Sequence, residues 1–531
     1  MKKSISEKNT GTMHKKSIIK KTLEVGGATL LSRGLAIARE ILLFRFLGGA
    51  GAISDAFKVA YTIPNSFRKI FAEGALSAAM VPAVVTKLQD DKKDGINSLI
   101  ALSFLVFEGA VLLLCLGVIL NATSVVSFIA PGFSQEQVVY TARWLSILMP
   151  FIFFLSSSAL LATVLQSINK FFVPAISPAV LNVVFVGSLL VCLKYSLAVD
   201  YLCVFILIGG LVQFLLHLVA YFRAGFSFYR VNRETVKVFL SVLIRFVPCL
   251  ISMGILEVSL FVDTRFASFL TKGSVSLIKL SNRFMGIPLG VFAVAFSTIL
   301  LPHFSRVRIY APKRMELYLL EAAKFVFWVL IPTAIVMAFF SENILYSFLY
   351  LTGNLRLEQV AEGSAILMAF LLGLIFFSLN KILLNIYYAF RNTWVPTLIL
   401  IFATIVNYFL NLFLMKIFYA TGIALATTIS AVLQTVLFFI FLYVMFGIRF
   451  HFIRFFRFAK YYCLQLITIF SVAFLLYQGI VRFFGLFSDS VLKFFTVGFG
   501  VWLWATPLVG LMFLLIYYTR KLFKVKLYFI D

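Results

Sequence analysis

From residue 23 onward the chain alternates long apolar runs with short polar breaks. Runs at 97–122, 140–167, 172–193, 199–222, 238–270 and 274–301 are each long enough to cross a hydrocarbon core of about 30 Å as a helix. The same holds for 316–340, 360–389, 394–415, 419–446, 460–482 and 492–517. Two more helices are expected between residue 23 and Pro82, joined by GGAGAIS, whose glycines suit a tight turn. The pattern predicts an all-α polytopic membrane protein of about 14 transmembrane helices.

Two short matches suggest an internal repeat. Ser77-Ala-Ala-Met-Val-Pro82 returns as Ser297-Thr-Ile-Leu-Leu-Pro302, and Lys-Phe-Phe-Val-Pro174 returns as Asn-Thr-Trp-Val-Pro396, at offsets of 220 and 222 residues. The copies enclose six helices each and so share one orientation, a parallel repeat of the kind used for alternating access. The expected organisation has a basic tail (1–22), a six-helix lobe (23–225) and a basic, aromatic linker suited to a membrane interface (226–237). A second six-helix lobe (238–447), two extra helices (448–518) and a short basic tail (519–531) follow.

The composition fits this reading, with 62% hydrophobic and 13% charged residues in 531. A net charge of +26 would suggest nucleic acid in a soluble protein. Here most Lys and Arg fall in the tail and in loops on one side. That bias argues against nucleic acid and puts both termini in the cytoplasm. Residues 1–22 lack an apolar core or cleavage site and read as a cytoplasmic tail, not a signal peptide. Five cysteines without paired spacing and four scattered histidines give neither a disulfide framework nor a metal site. Asp90, Asp91 and Asp94 have the spacing of a prenyl-diphosphate magnesium motif, but interleaved lysines mark a solvated turn. With no Walker loop or catalytic set, a non-enzymatic transporter is expected.

The first two helices break the apolar pattern. They carry Arg33, Arg39, Glu40, Arg45, Asp55, Lys58, Arg68, Lys69 and Glu73. A charge at the bilayer centre costs from about 2.5 to over 10 kcal/mol, so the inner ones need a wet cavity, a partner or an anionic ligand. Lys279 and Arg283 add cations in helix 8. Guanidinium forks match phosphate oxygens, so a cleft lined by Arg33, Arg39, Arg68 and Arg283 suits a pyrophosphate. The alternative is internal pairing with Glu40, Asp55 and Glu73; Lys69 and Glu73, at i,i+4, are expected to pair. Asp263, Asn407, Asn411 and Thr427 could present oxygens to sodium, or simply form interhelical hydrogen bonds.

At helices 1, 2 and 8 the sequence resembles the MurJ/MviN family, the lipid II flippases of the MOP superfamily. The resemblance rests on SRGLAIARE, SDAFKVAYTIPNSFRKIFAEGALSAAMVP, FASFLTKGSVS and STILLPHFS, in order and at the family's spacing. It implies a flippase in the bacterial cytoplasmic membrane that carries lipid II from the inner to the outer leaflet, for peptidoglycan synthesis. It also implies a substrate site of Arg33, Arg39, Arg68 and Arg283 with Asp55, Ser32 and Ser276, to which Lys279 and Glu73 are added. Helices 13 and 14 would hold the prenyl tail. Membrane lipids and cell-wall synthesis proteins are the further partners expected. No cofactor is expected; coupling would come from the membrane potential or from sodium at Asp263, Asn407, Asn411 and Thr427. Departures are Asn282 and Gly286 at positions often acidic, Asn411 in place of a carboxylate, and the added Lys58 and Lys279. An exporter of other polyprenyl-linked saccharides and a non-transport scaffold are the competing readings.

Overall fold

The structure, a computed structural model, describes residues 34–70, 80, 83–84, 93–168, 170, 172–231, 233–294, 296–297, 300, 304, 307–308, 314–350, 355–390, 392–487 and 489–528. Every regular element among them is helical. Nine helical runs among the described residues are long and apolar enough to cross a membrane. The chain divides into two compact units, Met1–Arg265 and Phe266–Asp531.

The first unit contains α1 (34–46) and α2 (Ala52–Arg68), then α3, which runs as Lys93–Ser103, a π-helical turn over Phe104–Glu108, and Gly109–Leu120. It continues with α4 (Gln135–Ser167), α5 (Phe172–Lys194), α6 (Val199–Arg223) and α7 (Arg233–Ala267). The polar break left between the runs 97–122 and 140–167 contains a short helix, Ala122–Ile129. Its Val126 is buried, so even this connection has an apolar face to cover. Likewise α4 begins earlier than the apolar run indicates, because Ser134 and Gln137 form a reciprocal capping box at its start.

Small residues set the packing of α6. A Cβ on Gly210 would lie 2.7 Å from the Phe151 ring of α4, so only glycine permits that approach. A core of Leu99, Phe107, Leu161, Tyr221 and Phe246 joins α3, α4, α6 and α7. The connection after α6 is fastened to the start of α3. Ser227 N donates to Asn97 Oδ1 (3.0 Å), and Ser98 Oγ donates to the Arg230 carbonyl (2.8 Å).

The second unit contains α8 (Ser274–Pro288), α9 (Met315–Phe339) and α10 (Leu357–Ala389). A continuous helical run, Trp394–Phe446, follows; it is broken at Tyr419 (φ 49°, ψ −129°) into α11 (394–418) and α12 (420–446). The break is a full reversal. Ser430 Oγ donates to the Ala403 carbonyl at 2.6 Å, across 27 residues that a straight helix would stretch over about 40 Å.

The unit closes with α13 (Phe452–Gly485), a short helix Asp489–Thr496 and α14 (Val501–Thr519). α13 starts eight residues before the expected 460. Phe458, Tyr462, Leu466, Ile469 and Ala473 bury a continuous stripe at helical spacing, so the basic, aromatic residues 452–459 before the apolar run are themselves helical. The expected helix at 492–517 is split, with the short helix separated from α14 by the turn at Gly498 and Gly500. Val525 and Leu527 are buried against α13 and α14, while Tyr528 N donates to Glu321 Oε2 of α9 (3.2 Å).

Candidate functional site

In the first unit the basic residues of α1 and α2 are held in distinct ways. Lys58 of α2 is buried, pairs with Glu40 of α1 and lies over the Phe44 ring. Lys69 pairs with Glu257 of α7 (3.1 Å); Glu73, its expected partner, lies outside the described residues. These two pairings put carboxylates against two lysines, whereas the internal-pairing alternative concerned the arginines.

Arg39 is treated differently. Its side chain is buried, 7% exposed, and its hydrogen-bond and ring partners among the described residues are neutral. Nη1 donates to Asn182 Oδ1 of α5 (2.9 Å), and the guanidinium lies 4.9 Å from the Phe185 ring centre. Phe185 in turn meets Tyr61 edge-on. Arg39 Nε is buried without a hydrogen-bond partner among the described residues. A guanidinium fixed on one edge, stacked on an aromatic face and unsatisfied on the other edge is preorganised for an anion.

The remaining predicted residues divide by unit. Asp55 is buried in the first turn of α2, where a carboxylate complements the helix dipole. Arg68, at the end of the same helix, donates from Nε to Asn65 Oδ1 (3.0 Å). Asp263 is buried on α7, and its neighbour Arg265 donates to the Phe128 carbonyl and lies over the Phe128 ring. Ser32 and Arg33 lie outside the described residues, as do Asp90 and Asp91; Asp94 is exposed.

In the second unit Ser276, Lys279 and Arg283 share one face of α8 at i, i+3 and i+7. Ser276 is buried and Arg283 exposed, so the face opens toward the helix end. Ser281 Oγ fixes α8 by donating to the Gly363 carbonyl of α10 (2.9 Å). Asn411 Nδ2 donates to Asn407 Oδ1 (3.2 Å), and Asn407 Nδ2 reaches Thr427 Oγ1 (3.4 Å), so two buried amides and a half-buried hydroxyl form one chain across α11 and α12.

An apolar cavity of about 590 Å³ lies between α9, α13 and α14, walled by Phe339, Phe340, Phe474, Tyr477, Trp504 and Met512 among others. Sequence reasoning assigned a groove to the last two helices but missed the contribution of α9. It also passed over Asn182 and Phe185, the anchors of Arg39. An asparagine 143 residues away on an apolar helix carries no local signal of its partner.

The family model described as lipid II flippase MurJ matches residues 46–497. This chain belongs to the MurJ family of lipid II flippases. Curated MurJ relatives agree in length as well as sequence. A probable lipid II flippase MurJ from Rhizobium tropici is 30% identical over 442 residues, covering 80% of this chain and 81% of its own. The lipid II flippase MurJ of Burkholderia cenocepacia is 30% identical over 435 residues, with 80% and 83% covered. Among solved structures, a lipid II flippase MurJ in an inward closed conformation superposes with a TM-score of 0.75 at 25% identity, covering 94% of this chain and 99% of its own. An inward-facing MATE-family multidrug transporter of the MOP superfamily shares the fold, with a TM-score of 0.68 at 12% identity and 76% and 93% covered. The protein is thus a multi-pass membrane protein of a transporter family.

Proposed function

We propose that this protein moves lipid II from the inner to the outer leaflet of the bacterial cytoplasmic membrane, as a transporter without catalytic chemistry. The observation that carries the reading is Arg39, a buried guanidinium with neutral partners and an unsatisfied edge, in a MurJ-family chain. The pyrophosphate of lipid II is the anion that edge suits. Arg33, Arg68, Arg283 and Lys279 contribute further positive charge, and Asp55, Glu73, Ser32 and Ser276 position it. The cavity between α9, α13 and α14 takes part of the prenyl tail, whose chemistry its aliphatic and aromatic walls match.

The basic tail and loops on one face support cytoplasmic termini. An inside-negative potential favours outward movement of an anionic headgroup by about 2.3 kcal/mol per charge per 100 mV. Sodium coupling through Asp263, Asn407, Asn411 and Thr427 is the second energy source we propose. It predicts sodium-dependent transport that Asn407→Ala abolishes.

The test is complementation of a bacterium depleted of its flippase, with outer-leaflet exposure of lipid II as readout and membrane levels measured in parallel. The wild-type chain is expected to restore exposure, while Arg39→Ala inserts normally and fails. A wild-type chain that exposes no lipid II would overturn the substrate. Normal exposure by Arg39→Ala would overturn the site.

A further inference from the structure

α3 carries one charged side chain between residues 95 and 120, Glu108, midway along the span. It ends the π-helical turn Phe104–Glu108 and is 2% exposed. π-turns inside α-helices recur at functional sites, because the extra residue re-aims a side chain. Here the neighbouring Leu105 remains exposed on the apolar surface, and the carboxyl group points inward to α4.

The hydrogen bonding around that carboxyl is incomplete. Ser156 Oγ lies 2.6 Å from Glu108 Oε2 and 3.2 Å from the Phe153 carbonyl, so one hydroxyl proton faces two acceptors. Glu108 Oε1 and Ser157 Oγ are both buried without a hydrogen-bond partner among the described residues. A buried carboxylate with only neutral partners costs several kcal/mol, and a cation removes that penalty.

Among the described side chains, the packed elements supply little to neutralise it. α3 itself adds Cys115, whose Sγ is bound to the Met149 carbonyl, and distant Lys93 and Asp94 at its start. The half of α4 that holds Ser156 has no charged residue. α6 carries His217, which is bonded to the Gln213 carbonyl. α7 packs Phe239 and Phe246 on Phe107; its Glu257 is taken by Lys69, and the Arg245 side chain lies outside the described positions.

We propose that Glu108, Ser156 and Ser157 form a buried binding site for a small monovalent cation, a proton or a sodium ion, separate from the basic residues of α1 and α2. A proton on the carboxyl donates to Ser156, whose own proton then satisfies Phe153. A sodium ion takes Glu108 Oε1 and Ser157 Oγ as hard oxygen ligands. The site goes beyond the lipid reading and does not depend on it.

Infrared difference spectroscopy of the full chain in lipid bilayers tests it, without any transport readout. Sodium is exchanged for choline at fixed pH, and pH is then stepped in choline. A carboxyl-to-carboxylate band change is expected that is lost in Glu108→Gln and shifted in midpoint in Ser157→Ala. A change on sodium exchange identifies sodium, and a change on the pH step alone identifies a proton. If Glu108→Gln does not fold, the midpoint shift in Ser157→Ala alone supports the site, and its absence overturns it. The proposal is also overturned if no band assigned to Glu108 responds to either step. A permanent carboxylate that becomes titratable only in Arg245→Ala would overturn it as well, since Arg245 would then be its fixed partner.

Discussion

Arg39 differs from Lys58 and Lys69 in what surrounds it, and that difference can be measured. A lysine in its place keeps the charge but loses the planar stack on Phe185 and the fork that bonds Asn182 while leaving an edge for ligand. Arg39→Lys is expected to insert at wild-type levels and to lower lipid II exposure at least about tenfold. Asn182→Ala removes a charge-assisted hydrogen bond worth about 1.5–3 kcal/mol, so about a tenfold or larger loss of exposure is expected with little change in membrane level. The charged residues themselves were legible in the sequence, since a guanidinium in an apolar run is conspicuous. Their partners were not. Lys69 finds Glu257 and Arg39 finds Asn182, pairings set by which helices touch rather than by spacing along one helix. Glu108, a lone carboxylate in an apolar span, went unremarked in the sequence, and its meaning depends on Ser156 and Ser157 of another helix.

Among the elements, apolar runs gave the long helices closely: 172–193 was expected and Phe172–Lys194 is found. Runs fail where a helix continues into polar or basic sequence, as α13 does from Phe452, or where a short helix fits inside a connection, as Ala122–Ile129 does. The corner between α11 and α12 belongs to neither case: the runs 394–415 and 419–446 placed a break there, and it falls at Tyr419 without a loop. A Cβ on Gly422 would lie 2.2 Å from the Leu414 carbonyl oxygen, a backbone atom that cannot swing aside. Gly422→Ala is therefore expected to destabilise by about 1–3 kcal/mol or more, seen as a lower thermal midpoint in detergent. Tyr419 points the other way. Its exposed side chain sits on backbone that glycine adopts freely; relief of about 1–3 kcal/mol of strain outweighs about 0.5–1 kcal/mol of added chain entropy. Tyr419→Gly is expected to hold or raise the midpoint.

Across the whole molecule, the two chemistries that the proposed function assigns to one amphipathic ligand are basic residues on α1, α2 and α8 and an apolar cavity among α9, α13 and α14. Ser471 lines that cavity and is exposed, so a bulky residue there fills space at small cost to packing. Ser471→Phe is expected to slow transport of lipid II with its natural long prenyl chain, while a short-chain analogue crosses at the wild-type rate. Reconstituted vesicles with both substrates would show it; equal slowing of the two would remove the tail from the cavity. The corner at Tyr419 also bears on how the chain is made. Asn411 bonds Asn407 within α11, but Asn407 Nδ2 reaches its hydroxyl acceptor only once Thr427 of α12 stands beside it, and no loop separates the two helices. A nascent chain paused after the first helix would hold the Asn407 amide in lipid before that hydroxyl arrives. The insertion machinery must therefore release the pair together, as a preassembled hairpin rather than two successive spans.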